Sequence, residues 1–184
     1  MWIFLAALAI VAIAVIGMYN SLIRLRVQSE NAWADIDVQL KRRHDLIPSV
    51  VSVVKGHAGY ERGTLEAVTE ARSQAIQAIS PGEKARAEEP VERSLHRVFA
   101  IAEAYPDLRA VESFRQLQLT LSEIEDHLQN ARRYYNAVVR DFNTRIGQFP
   151  SNLVAKTMGF RPREFFGIED DRERAVPAVE TGTR

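Results

Sequence analysis

Cysteine is absent from the 184-residue sequence, which removes disulfides, thiolate nucleophiles, cysteine zinc sites and iron–sulfur clusters together. Redox compartment therefore leaves no mark on the chain. Net charge is absent too: 24 Lys and Arg stand against 24 Asp and Glu. The positive field that sequence-independent nucleic-acid binding needs is missing, so no nucleic-acid partner is expected. There is no Gly-rich phosphate loop, no His-Glu-x-x-His pair and no Gly-x-Ser-x-Gly elbow, the devices that would announce phosphoryl, metal-assisted or acyl-transfer chemistry. Carboxylate-bridged metal pairs in helical bundles need Glu-x-x-His, and none of His44, His57, His96 or His127 has a glutamate three residues before it. His57 with Glu61 and Glu123 with His127 stand one helical turn apart, a spacing met mostly in solvated neighbours. No catalytic residue, metal ligand or cofactor is expected, and the chain reads as not an enzyme.

The most informative absence is local. No charged side chain occurs from Met1 to Ile23, and Trp2 to Tyr19 is an almost unbroken apolar run, about the ~20 residues that cross a hydrocarbon core as a helix. Trp2 and Tyr19 stand at its ends, where amphipathic aromatics settle among headgroups. The alternative, a cleaved signal peptide, needs a basic leading region that is missing here, although Ala12 and Ala14 supply small residues of the cleavage type. Residues 1–23 are thus expected to be a transmembrane helix and the lipid bilayer the first partner. Arg24 and Arg26 flank its C-terminal side, with Lys41, Arg42 and Arg43 farther on. The asymmetry of basic residues puts the N-terminus outside and the rest in the cytoplasm.

Gly and Pro are missing between Gly17 and Pro48, so the span is expected to run on into an aqueous helix without a linker. No period-two alternation long enough for a strand follows, and the fold class is all-α: an antiparallel up-down four-helix bundle over residues 24–166, with a disordered tail at 167–184. In the first helix Trp33, Ile36, Leu40, Ile47, Val51 and Val54 share a face at spacings of three, four or seven, and Pro48 should kink the helix near His44 to Ile47 without ending it. Gly56, Gly59 and Gly63 mark a turn. A second helix, about Glu61 to Ile79, carries Leu65, Val68, Ala71, Ala75 and Ile79, and Ser80-Pro81-Gly82 ends it. The third runs from about Glu83 to Ala104 on Val91, Leu95, Val98 and Ala102, with Pro90 confining the packed part to the residues after it. Tyr105-Pro106-Asp107 is the next break, and Asp107 the expected N-cap. In the fourth, Val111, Phe114, Leu117, Leu121, Ile124, Leu128, Ala131, Tyr135, Val138, Phe142 and Ile146 step by three and four without a miss, the mark of a coiled-coil-like seam. Gly147 and Pro150 close it.

Two groups of residues stand out as candidate sites. Asn31, Asp35 and Arg42 on the first helix and Asn136 and Asn143, one heptad apart on the fourth, are either a solvated face or a hydrogen-bonded layer between those helices that fixes register. The up-down order returns Phe149 to bilayer height. There Phe149, Phe160, Arg161, Arg163, Phe165 and Phe166 mix aromatic and basic side chains, which suits a membrane surface; the same aromatics could instead cap the bundle core.

Several strings carry a resemblance. Asn31-Ala32-Trp33, Asp37-Val38-Gln39-Leu40-Lys41-Arg42-Arg43, Asp45-Leu46-Ile47-Pro48, Ala131-Arg132-Arg133-Tyr134-Tyr135-Asn136, Phe142-Asn143 and Phe149-Pro150-Ser151-Asn152 make the chain similar to the LemA family from the span to about Phe166. The resemblance implies a bacterial single-pass inner-membrane protein with an outside N-terminus and a cytoplasmic helical bundle, and it implies no established activity. Three function classes follow as expectations. A homo-oligomeric scaffold leads, an adaptor for a membrane protein partner such as a protease or signalling protein comes second, and a metal-binding or enzymatic bundle is third.

Overall fold

The computed structural model describes residues 1–57 and 62–167, and most of those residues are helical with no strand among them. Six helices follow in order: α1 (Trp2–His57), α2 (Arg62–Gln77), α3 (Pro81–Ala104), α4 (Pro106–Arg109), α5 (Glu112–Gly147) and α6 (Ser151–Thr157). The expected tail falls almost wholly outside the described residues, as does Gly59 of the expected first turn.

α1 is one helix of 56 residues, roughly 84 Å at ~1.5 Å per residue. Its continuity past Pro48 has a local cause. A proline at this position cannot donate to the carbonyl four residues back, and that carbonyl, His44 O, instead accepts from Arg72 Nε at 2.7 Å. A side chain of α2 thus fills the vacancy in the helical ladder.

α5 runs antiparallel to α1 along most of its length, and three hydrophobic clusters mark the pairing. Nearest the N-terminus, Leu22 shares a cluster with Phe142, Val154 and Ala155. In the middle, Ala32, Ile36 and Leu40 meet Leu128, Tyr135 and Val139. At the far end Ile47, Val50 and Val54 join Phe114 and Leu121, and here Val68 and Ala71 of α2, Val91, Leu95 and Val98 of α3, and Leu108 of α4 complete the core. Four long helices share a core only in this last cluster. Toward the N-terminus the molecule thins to the α1–α5 pair, with α6 and the chain after it packed alongside.

The helix ends explain most departures from the sequence expectations. Ser80 does not merely close α2. Its hydroxyl accepts from Glu83 N at 3.2 Å while the Glu83 carboxylate accepts from Ser80 N at 3.2 Å, a capping box that starts α3 at Pro81. The two backbone donors, Ser80 N first and Ile79 N with it, hold the Glu83 carboxyl below its usual range. Ile79, expected in the core, lies beyond the end of α2 and is exposed. Packing in α3 begins before Pro90, since Ala85 and Glu88 are both buried. Asp107 does not cap the long helix: it sits inside the single turn α4, and Val111 caps α5 without a side-chain bond. α6 was not anticipated as a helix. Ser151 Oγ, 2.6 Å from Arg145 O, donates its proton to a carbonyl at the end of α5, while Gln148 O accepts from Asn152 N at 2.8 Å. Gly159 at φ +72° then closes α6, with Phe160 N donating to Ala155 O at 2.9 Å, a C-terminal lock that needs a left-handed residue.

Candidate functional site

Beyond Gly159 the chain leaves the helical conformation and lies along the α1–α5 pair as a strap, residues 160–167, that bends at Phe166 and Gly167. Asn143 and Asn136 of α5 hold it. Asn143 Nδ2 donates to Arg163 O at 2.9 Å while its Oδ1 accepts from Arg163 N at 2.8 Å. Asn136 repeats the pattern on Phe166, with Nδ2 donating to the carbonyl at 2.8 Å and Oδ1 accepting from the amide at 2.9 Å. The partners fix each amide's orientation, since a peptide N–H needs the oxygen and a peptide C=O the nitrogen. The spacing follows from elementary geometry. Seven helical residues rise about 10.5 Å and three extended residues advance about 10 Å, so asparagines one heptad apart meet every third peptide unit of an antiparallel extended chain. These bonds read backbone, and the side chains of the strap add their own contacts. Phe166 is buried, its ring centroid 5.6 Å from that of Trp33, and Arg132 stands over it at 5.3 Å. Tyr135, itself 5.4 Å from Trp33, donates its hydroxyl to Glu164 O at 2.8 Å, and burial pushes the phenol pKa up. Arg163 reaches Glu30 of α1 at 2.5 Å. The bond from Arg26, and with it that from Arg163, holds the Glu30 carboxyl below its usual range against the opposing effect of burial.

The expected polar layer is therefore distributed otherwise. Asn136 and Asn143 act together, but on the strap and not on α1, while Asn31, Asp35 and Arg42 are exposed. The residues of the candidate membrane-surface segment separate as well. Phe166 turns into the core, Phe165 is half-buried against the middle cluster, and Phe160 packs edge-on to Tyr19 at 6.0 Å and Phe142 at 6.3 Å. Arg163 spends its charge on Glu30. Only Phe149 and Arg161 are exposed.

A second site lies deeper. Arg43 and His44 of α1 and Glu88 of α3 are buried. Arg43 donates to Glu88 Oε2 and to Glu125 Oε2 at 2.9 Å, and His44 Nε2 lies 2.7 Å from Glu88 Oε1. Burial works to raise the Glu88 carboxyl pKa, but the contact with His44 and the charge of Arg43 outweigh it and hold the group below the usual carboxylate range. Two clefts of about 310 Å³ reach the cluster, one past Asp37, Lys41 and Lys84, the other past His96 and Phe99. Removing one partner would strand a buried charge, so the arrangement ties α1, α3 and α5 into one register. Among the described residues no group of three His, Cys, Asp or Glu could hold a metal ion.

Sequence reasoning passed over this cluster, although a signal was there. The core face of α1 runs Ile36, Leu40, Arg43, Ile47, Val50, Val54, and Arg43 fills the gap of seven between Leu40 and Ile47. Glu88 likewise stands three residues from both Ala85 and Val91 on the buried face of α3. A charge of each sign on two core faces was the sign of a buried pair.

The model of the LemA family matches residues 32–180, which takes in both asparagines, the strap and all four members of the charge cluster. The chain belongs to the LemA family. A relative named Protein LemA from Metamycoplasma hominis is 28% identical over 159 residues, covering 84% of this chain and 71% of its own length. Two further relatives, Magnetosome protein MamQ 1 and MamQ 2 of Paramagnetospirillum magneticum, are each 24% identical over 174 residues, covering 80% of this chain. The match spans 64% of each MamQ protein's length. The LemA-family match begins at Ala32, so the apolar run of α1 stands apart from it and rests on its own physical argument.

Proposed function

We propose that this LemA-family chain is a non-enzymatic scaffold of the bacterial inner membrane, anchored by the first turns of α1 with its N-terminus outside and its helical bundle in the cytoplasm. One observation carries the reading. An 18-residue window near the start of α1 has a mean hydropathy of 2.5 and none of it is buried within the molecule, while the same helix runs without a break into a packed core. Such a surface needs a lipid environment, and the unbroken helix would hold the bundle upright at a fixed distance from it. Arg24 and Arg26 on the inner flank support the orientation. That some relatives are named as magnetosome proteins favours a part in assembly.

Cross-linking mass spectrometry on native membranes tests the proposal. A scaffold gives a ladder of self-adducts through exposed residues of the bundle. A single heterologous partner with no self-adducts replaces the scaffold with an adaptor for a membrane protein.

A further inference from the structure

The lower end of the molecule carries an apolar face that the core does not use. α6 buries Ser151, Val154 and Ala155 against the cluster of Leu22 and Phe142, yet Phe149 just before it is 76% exposed, Leu153 60% and Met158, at its C-cap, 55%. The height of this face is fixed by what α6 packs on. Val15, Met18 and Leu25 of α1 join the same cluster, and Phe160 stands edge-on to Tyr19. α6 therefore lies beside the last turns of the uncharged run, where a spanning helix leaves the hydrocarbon for the headgroups. Between Asp141 and Glu164 the chain carries Arg145, Lys156, Arg161 and Arg163 and no acidic residue; Arg163 is paired with Glu30 of α1, which leaves Arg145, Lys156 and Arg161 as the basic side chains around the face. Lys156 shares the outward side of α6 with Leu153, so its stem can lie along lipid while the ammonium stays among phosphates.

The geometry points to a second membrane contact: Phe149, Leu153 and Met158 insert laterally into the headgroup zone of an anionic bilayer, with Arg145, Lys156 and Arg161 facing lipid phosphates. The contact clamps the base of α5 and α6 to the membrane beside α1, so that the bundle is held at two points and cannot swivel on a single helix. It rests on the reading of α1 as a span.

The absence of cysteine makes the test clean. Single cysteines replacing Ile10, Leu153 and Tyr134 are labelled with an environment-sensitive dye in the full chain, reconstituted into phosphatidylglycerol-containing vesicles with lipids that carry a quencher near the headgroup or near the chain end. All three positions are exposed, so none of the labels disturbs the core. The expected result is loss of emission at 153 with the shallow quencher, loss at 10 with the deep one, and none at 134. Emission at 153 as insensitive as at 134, with 10 still quenched, overturns the second contact and leaves the span standing. No quenching at 10 removes the span itself. A dye at 153 that is shielded yet untouched by either lipid quencher means that another protein surface covers the face, and this too overturns the proposal.

Discussion

Replacing Asn136 by alanine removes both bonds that the backbone N–H and C=O of Phe166 make to the side of α5. Each is a neutral, half-buried hydrogen bond worth about 1 kcal/mol net, so the strap loses about 2 kcal/mol of docking free energy, roughly a 30-fold change in its opening equilibrium. The loss is bounded because the freed N–H and C=O can reach water once the strap lifts. The core clusters of α1, α2, α3 and α5 do not depend on these bonds. Amide hydrogen exchange followed by mass spectrometry should therefore show residues 160–167 exchanging about 30-fold faster, with α3 and the far half of α5 unchanged. Asn136→Asp sharpens the case: the carboxylate still accepts from Phe166 N but sets a negative oxygen against Phe166 O, so it should cost at least as much as alanine. Losses at Asn136 and Asn143 should fall short of additive, because once the strap is free the second asparagine has nothing left to hold. Unaltered exchange in the strap, or a uniform rise across all helices, would refute the reasoning.

Breaking the buried charge cluster should act on the whole bundle. Glu88→Ala leaves Arg43 with Glu125 alone and should cost about 3 kcal/mol in urea unfolding, while the paired change Arg43→Met with Glu88→Leu should restore most of it; a double variant no better than the single one contradicts the assignment. Because the folded state holds Glu88 below its unfolded value of about 4.3, its contribution is present above that value and lost as pH falls through the folded pKa. The gap in Tm between the natural protein and Glu88→Gln should accordingly close in acid, and a gap that persists unchanged there is the adverse result. Arg72→Leu orphans the His44 carbonyl and should cost about 1–3 kcal/mol. In a Pro48→Ala background, where residue 48 regains its N–H, that cost should shrink, and equal costs in both backgrounds would break the link between Pro48 and Arg72.

The long helices were legible because each presents a sustained period. Every residue of the expected stripe from Val111 to Ile146 is at least half-buried, and no competing signal interrupts it. Short elements lack that redundancy. α6, of 7 residues, offers two turns between a proline and a glycine, too few to establish a face. The strap is invisible to patterning for a different reason: it is not helical and its recognition runs through backbone atoms, which no side-chain sequence records. Asn136 and Asn143 could be paired from their spacing, but not assigned a partner. Arg43 and Glu88 were hidden by the habit of reading charge as surface, although each occupies a core position. The same split explains the segment 149–166. Its aromatics divide between Phe166, which fills a hole under Trp33, and Phe149, which faces outward, and composition alone cannot say which ring turns which way.

The account depends above all on a helix that leaves lipid and enters a protein core without a break. A single-cysteine spin-label scan of residues 3–30 in vesicles, reading oxygen against water-soluble relaxant, addresses this directly. It should show lipid exposure on every face from Ile3 to about Ile13, because none of those side chains is buried, then give way near Leu22 to a 3.6-residue rhythm with minima at Leu22, Ser29 and Ala32. Water accessibility throughout the first stretch, or a loss of helical rhythm between Tyr19 and Ser29, would contradict it.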